Sequence, residues 1–444
     1  VPVLEKSEGQ GLWERFLRLF ADVRPGETGV ALLMLANLFL LLVGYYILKT
    51  VREPLVLATG GAEMKSYAAA GQAVVLMGFI PLYGWLARRV DRLRLIVTLM
   101  LFFVLNIELF NRAGRAKLPY VGVVFYIWVG IFSLAAIAQF WSFANDIYRQ
   151  EVGNRLFPMI AIGATAGSPV GAEIAERLFK AGMDPYTMLH ISAAILLVHL
   201  GIYWVVSRHQ ALHADFPAQE STKLLGPGGF HLVFASPYLR LAALLFVLLN
   251  IVNTNGEYII GRLTVAAAKE AAAANPAVSI DGFIGSFYGG YFFWVNVLAF
   301  AIQSLLVSRI AKYFGFAGVM LSLPIVAFGT YGLMAAGVGF AMTRWAKTAE
   351  NSADYSVMNT GRQMLWLPTT RDEKYKGKQT IDTFFVRAGD VVSAGVVYAG
   401  TTWLRFDVPG FALTNLILVL VWIGVVVLLV RENRVLAGPN QKRT

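Results

Sequence analysis

Cysteine is absent from the 444 residues, so neither a disulfide framework nor a thiolate metal site can form. Charge is scarce as well. Asp, Glu, Lys and Arg make up 15% of the chain, against about 25% in soluble globular proteins. The five histidines (His190, His199, His209, His213 and His231) are scattered without ligand spacing. No P-loop, HExxH motif or nucleophile–base pairing is present, so the sequence points away from an enzyme and calls for no cofactor or metal. A cleavable signal peptide is not expected either, because acidic residues interrupt 1–27 and no apolar core ends at a small-residue cleavage site.

Apolar residues dominate, at 57%. The net charge of +11 on so apolar a chain fits basic cytoplasmic loops rather than nucleic-acid binding. In 1–27, Leu12, Trp13, Phe16, Leu17, Leu19 and Phe20 alternate with Glu14, Arg15, Arg18 and Asp22. That pattern suits an amphipathic helix at the membrane surface, or a short helix packed on a protein loop.

Runs long enough to cross about 30 Å of hydrocarbon recur along the chain. They lie near 28–48, 67–87, 94–112, 120–144, 157–179, 186–207, 238–259, 283–307, 314–338, 339–359, 380–403 and 410–430. Twelve crossings put both termini on one side. Of the 38 basic residues, 24 fall on that side and 11 on the other, which predicts cytoplasmic termini and a cell-membrane (bacterial inner-membrane) location. The longest polar segment, 208–237, follows the sixth run. It divides an N-terminal half (28–207) from a C-terminal half (238–432), which a tail (433–444) follows. Basic turns recur after the second run of each half, "GWLARRVDRLR" at 84–94 and "SRIAKYFGFAG" at 308–318. The expected fold class is all-α, a polytopic membrane protein of two six-helix halves similar to the major facilitator architecture. Substrate there sits near the midplane between halves.

Charges inside the spans need a reason. In 343–356, "TRWAKTAENSADYS", Arg344, Lys347, Asn351 and Asp354 fall within about 80° on a helical wheel, and Glu350 flanks them. That face should point inward, either as cavity lining or as a salt-bridge network that locks the helix. In the cavity reading Arg344 and Lys347 face the centre and Asp354 offsets their charge. The first span ends "GYYILKTVREPLV", where Tyr45, Lys49, Arg52 and Glu53 share a face and Pro54 is expected to break the helix. Two cations beside one carboxylate suit an anionic solute, unless they simply reach the outer interface. In span 7, Asn250, Asn253 and Glu257 follow one face; the acid could bind a proton or a hydroxyl-bearing solute, or neutralise Arg262. Gly163, Gly167 and Gly171 recur every four residues in span 5, a spacing that permits close helix contact.

Three segments together carry a family resemblance. "FWSFANDIYRQEVGNRLFPMIAIGA" (140–164) is similar to an FW-x-FAN segment followed by a basic residue, a Pro and Gly-Ala. "NSADYSVMNTGRQMLWLPTTRDEKYKGKQTID" (351–382) is similar to SAKYS followed by K-x-KGK-x-x-ID. "LKTVREPLV" (48–56) matches a basic–acidic end of span 1. In these the chain resembles the twelve-span ATP/ADP translocase family of intracellular bacteria and plastids. Asp354 stands where that family tends to have lysine, Gly389-Asp390 replaces its Gly-Lys, and its early span-4 glutamate has no counterpart. The resemblance implies a transporter of an organic anion, a nucleotide exchanged as ATP/ADP by alternating access. The residues expected to bind it are Lys49, Arg52, Glu53, Asn145, Glu257, Arg344, Lys347, Asn351, Asp354, Lys376, Lys378 and Arg387. The expected partners are this small anion and the lipid bilayer, with a monomer as the unit. The competing readings are a proton-coupled carrier of another solute, with Glu257 or Asp354 as proton site, and a non-transporting membrane scaffold.

Overall fold

The computed structural model describes residues 24, 27–87, 89–90, 92–211 and 228–438. The amphipathic segment expected in 1–27, most of the 208–237 linker and the last six residues of the tail lie outside the described residues.

Among the described residues the chain forms helices and no strand. The N-terminal half comprises α1 (Thr28–Ala58), α2 (Gly60–Leu86), α3 (Arg92–Arg115), α4 (Val121–Ile147), α5 (Gln150–Lys180) and α6 (Pro185–Ala211). A short α7 (Gly229–Ala235) leads into α8 (Pro237–Ala274), α9 (Ile280–Leu305) and α10 (Val307–Ala335). Helix α11 runs Phe340–Ala353 and continues through a π-helical turn, Asp354–Met358, into Asn359–Met364. Helix α12 contains two such turns, Glu373–Gly377 and Ile381–Phe385, before its regular part Val386–Thr402, and α13 spans Val408–Ala437.

Nine of the described helices, α1–α4, α6, α8–α10 and α13, are long and apolar enough to cross a membrane. Their outward faces carry Val74, Leu82 and Trp85 on α2 and Leu101, Leu105 and Leu109 on α3, all exposed, as a lipid-facing surface requires. Of the long helices outside that set, α5, α11 and α12, α11 buries its charge: Lys347 is completely enclosed and Glu350 nearly so. The chain is a multi-pass membrane protein.

Pro54 does not end the first helix, contrary to expectation: α1 continues to Ala58 with Pro54 inside it. Proline is tolerated within membrane helices because neighbouring groups satisfy the freed backbone. The chain instead turns at Gly61, whose φ of 70° suits glycine alone. The first crossing is therefore longer than its apolar run, and it carries Lys49 and Arg52 inside.

Helix α5 lies directly on α1. A Cβ on Gly163 would run into the Leu35 carbonyl oxygen, one on Gly167 would sit 2.5 Å from that of Phe39, and one on Gly171 2.6 Å from that of Val43. The four-residue glycine repeat is the contact stripe. The halves meet where α5 packs on α9 and where α1 and α2 meet α8, α9 and α12.

Candidate functional site: a charged cavity between the halves

A cavity of about 300 Å³ lies between the halves. Lys49 and Arg52 of α1 and Lys65 of α2 line one wall, and Glu257 of α8 with Arg387 and Asp390 of α12 the other.

Most of these charges are already matched. Glu53, completely buried, accepts from Arg52 at 2.9 Å and pairs with Lys65 at 2.7 Å. Lys65 also reaches Glu257 at 3.2 Å, and so joins the halves. Asn351 donates to the same Glu257 at 3.0 Å. Arg387 pairs with Asp390 at 3.5 Å, and Thr254 donates to Asp390 at 2.9 Å.

Lys49 differs. Its ammonium is enclosed by the rings of Phe292, Tyr46 and Tyr355, at 4.3, 4.9 and 5.7 Å from their centroids. Its hydrogen bond goes to the Tyr355 hydroxyl at 3.4 Å. Among the described residues it is the cavity-wall cation with no carboxylate partner.

Tyr355 also borders a second, larger chamber of about 650 Å³, closer to the side of the chain termini. This chamber is lined by Thr165 and Ser168 of α5, Asn296 and Gln303 of α9, and Asn359 of α11. Its charges are one pair, Asp354 and Arg362, 3.4 Å apart. Tyr46 donates to Asn296 at 3.0 Å, tying α1 to α9 beside the throat. On the side away from the termini the halves are shut. A Cβ on Gly285 would collide with the Phe179 ring, and one on Gly289 would fall 2.7 Å from Glu176. Tyr258 donates to Glu63 across the same seam at 2.9 Å.

The expected site residues therefore divide. Lys49, Arg52, Glu257 and Arg387 line the inner cavity, and Glu53 and Asn351 brace it from behind. Lys347 turns away, to Glu350 at 3.1 Å and Asn253 at 2.9 Å. Asp354 faces the larger chamber and is held by Arg362, so it does not offset Lys347. Arg344 lines neither chamber. It lies beside Glu176, near Gly290, with its guanidinium 5.4 Å from the Phe287 ring. One helical turn nearer the closed end is enough to take it out of the centre. Asn145 is exposed at the end of α4. Lys376 pairs with Asp372 at 3.9 Å and Lys378 donates to Gln363 at 3.2 Å, both at the beginning of α12 and away from the cavity.

Lys65, Tyr126 and Tyr355 are cavity residues that reading the sequence missed. Lys65 follows "ATGGAEM" and reads as loop; the signal was a basic residue only a turn after a Gly-Gly hinge, too close to span 1 for a solvated loop. Tyr126 carries the Arg52 guanidinium 4.2 Å from its ring centre.

No family model matches the chain. A curated relative, ADP,ATP carrier protein 1 of Chlamydia trachomatis, is 21% identical over 347 residues, covering 68% of this chain and 63% of its own length. The ADP,ATP carrier protein 1 of Rickettsia conorii is 22% identical over 350 residues, covering 68% of this chain and 67% of its own. The chain thus spans a little under two thirds of the Chlamydia relative. Among solved structures, a bacterial homologue of the iron transporter ferroportin in an inward-facing state has a TM-score of 0.67 at 14% identity, covering 90% of this chain and 98% of its own. The nucleoside transporter NupG has 0.65 at 12% identity, with the same coverage. The chain has the major facilitator-like fold and is a homologue of the ADP,ATP carrier proteins of Chlamydia and Rickettsia.

Proposed function

We propose that the protein is a secondary carrier that exchanges nucleotides across the cell membrane by alternating access. The observation that carries this reading is Lys49, a buried cation with no carboxylate partner among the described residues, which lines the inner cavity and bonds Tyr355, the residue that borders both chambers. Burying an unpaired charge is costly, and an anionic substrate would repay it. The aromatic cage around Lys49 moderates that cost while the site is empty. The names of the relatives supply the substrate class. A carrier needs no bond-making residues, and the charges present are placed to hold an anion rather than to transform it.

Counting α5, α11 and α12 as crossings gives twelve, in two six-helix halves of roughly 28–207 and 238–432. Three of the 11 basic residues first assigned to the side away from the termini, Lys49, Arg52 and Lys65, lie within α1 and α2. The bias of basic residues therefore favours cytoplasmic termini more strongly than the sequence count did. In this reading the inner cavity is closed to the outside by the α5–α9 contact and by Lys65–Glu257, and the larger chamber is the cytoplasmic approach. The working unit is a monomer.

Purified protein melted in the presence of nucleotides and of unrelated organic anions tests the substrate class. Ligand at about 100 times its Kd adds about 2.7 kcal/mol to the folded state. Stabilisation by nucleotides, with counterflow of labelled nucleotide in proteoliposomes, is the expected result. Stabilisation by some other anion and by no nucleotide would overturn the reading.

A further inference from the structure

We infer that the substrate carries a single phosphate: a nucleoside monophosphate, not the di- or triphosphate in the names of the relatives. The inference rests on the nucleotide reading and sharpens its substrate class. Its basis is how the charges are matched along the cavity. Arg52 and Lys65 are held by Glu53, Lys65 also by Glu257, and Arg387 by Asp390. Lys347, just behind the wall, is held by Glu350. That leaves Lys49 as the cation on offer.

A phosphate monoester carries a charge of about −1.5 to −2 at neutral pH. Lys49, helped by the Tyr355 and Tyr45 hydroxyls at the cavity edge, can meet one such group. A second phosphate would have to take a cation from Glu53, which is buried, or from Glu257 or Asp390 on the cavity wall, and then lie beside that carboxylate, unpaired. The inner cavity is also small, at about 300 Å³. The larger chamber beyond Tyr355 has the opposite character. Its hydroxyls and amides, from Thr165, Ser168, Asn296, Gln303 and Asn359, carry no net charge, and Asp354 is neutralised by Arg362. Such a wall suits a bulky, polar, uncharged group such as a base with its ribose. The two chambers, which share Tyr355 as a wall residue with Lys49 on the inner side, thus describe a molecule with one charged end and a neutral body.

Asp390 makes the inference testable in both directions. It occupies the cavity wall and occupies Arg387. Asp390→Asn keeps an oxygen for Thr254 and frees the guanidinium, so the site should then accept a second phosphate.

The test is the affinity of the purified full chain for adenosine, AMP, ADP and ATP, before and after the substitution. AMP should bind at least about tenfold more tightly than ADP or ATP, a difference of about 1.4 kcal/mol. Lys49→Gln should lower AMP affinity to that of adenosine. In Asp390→Asn the ratio of ADP to AMP affinity should rise about tenfold. If ADP or ATP binds wild type as well as AMP does, the monophosphate inference falls and the nucleotide reading stands. If none of the nucleotides binds, the nucleotide reading itself falls. An Asp390→Asn protein that binds AMP with an unchanged ADP ratio would show that the carboxylates do not set the substrate's charge, and would also overturn the inference.

Discussion

Lys65 of α2 lies 3.2 Å from Glu257 of α8, and the pair links the two halves of the molecule at the wall of the cavity. Lys65 is simultaneously 2.7 Å from the wholly buried Glu53. One ammonium therefore holds two carboxylates, one from each half. Opening the molecule on this side must separate Lys65 from Glu257. Glu53 keeps both Lys65 and Arg52 when that happens, whereas Glu257 is left with Asn351 and Tyr291, the latter at 3.4 Å.

Lys65→Met should consequently cost much more than the loss of a surface ion pair. Removing one partner of a buried pair typically costs about 3–5 kcal/mol, because the other charge is stranded. The expected outcome is a clear fall in the melting temperature of the purified protein. Replacing Glu257 with Gln at the same time should recover part of it. An unchanged melting temperature in Lys65→Met would mean that water, not lysine, satisfies both acids.

The glycine stripe of α5 makes a second expectation. Gly167→Leu places side-chain atoms where the Phe39 backbone of α1 already is. Overpacking of this kind costs about 1–3 kcal/mol, and here it also separates α1, which lines the inner cavity, from α5, which lines the larger chamber. Gly201 of α6 is a fair control, since a Cβ there meets nothing within 4 Å. Gly201→Ala should leave stability unchanged or slightly raised, while Gly167→Leu lowers it. Equal melting temperatures for the two would remove the packing role of the stripe.

The orientation is open to single-cysteine labelling, because the chain has no cysteine of its own. Ala277 is exposed in the turn between α8 and α9, and Arg371 is exposed between α11 and α12, at the opposite end of the molecule. A membrane-impermeant maleimide applied to intact cells should label Ala277→Cys and spare Arg371→Cys. The reverse pattern would place the termini outside.

Helix type and approximate position were legible because apolar runs of membrane length are long and repetitive. The ends were not, and the misplaced ends mattered. Pro54 suggests a stop, yet a membrane helix with satisfied neighbours runs through it to Ala58. Beginning the second span at 67 rather than at Gly60 left Lys65 in a loop, where it drew no notice at all. The helical wheel put Arg344, Lys347, Asn351 and Asp354 of α11 on one face but could not say what each of them meets. Partners are supplied by other helices: Asn253 of α8 and Tyr331 of α10 near Lys347, Glu176 of α5 near Arg344. Asp354 and Tyr355, at the start of the π-helical turn Asp354–Met358, border the chambers, while Glu350 in the regular helix before it pairs with Lys347.

Lys347, Glu350 and Asp354 therefore separate structure from substrate on a single helix. Lys347 has no solvent exposure and is held by Glu350 at 3.1 Å and Asn253 at 2.9 Å. Glu350 in turn accepts from Tyr331 at 2.9 Å, and Tyr331 also reaches the Val252 carbonyl at 3.1 Å. The group binds α8, α10 and α11 into one body within the C-terminal half. Lys347→Ala should lower stability by about 3–5 kcal/mol by stranding Glu350. Because the cost is that of an unpaired charge, Lys347→Met combined with Glu350→Met should be much less damaging than either alone. Asp354 faces a chamber, and its partner Arg362 is one-third exposed. A pair so placed is worth about 1 kcal/mol or less, so Asp354→Asn should barely move the melting temperature. Its effect should appear in substrate affinity instead, since Arg362 is then free at the chamber wall. Melting curves and nucleotide affinities of these variants decide the matter. A large loss of stability in Asp354→Asn, with Lys347→Ala as stable as wild type, would reverse the two roles.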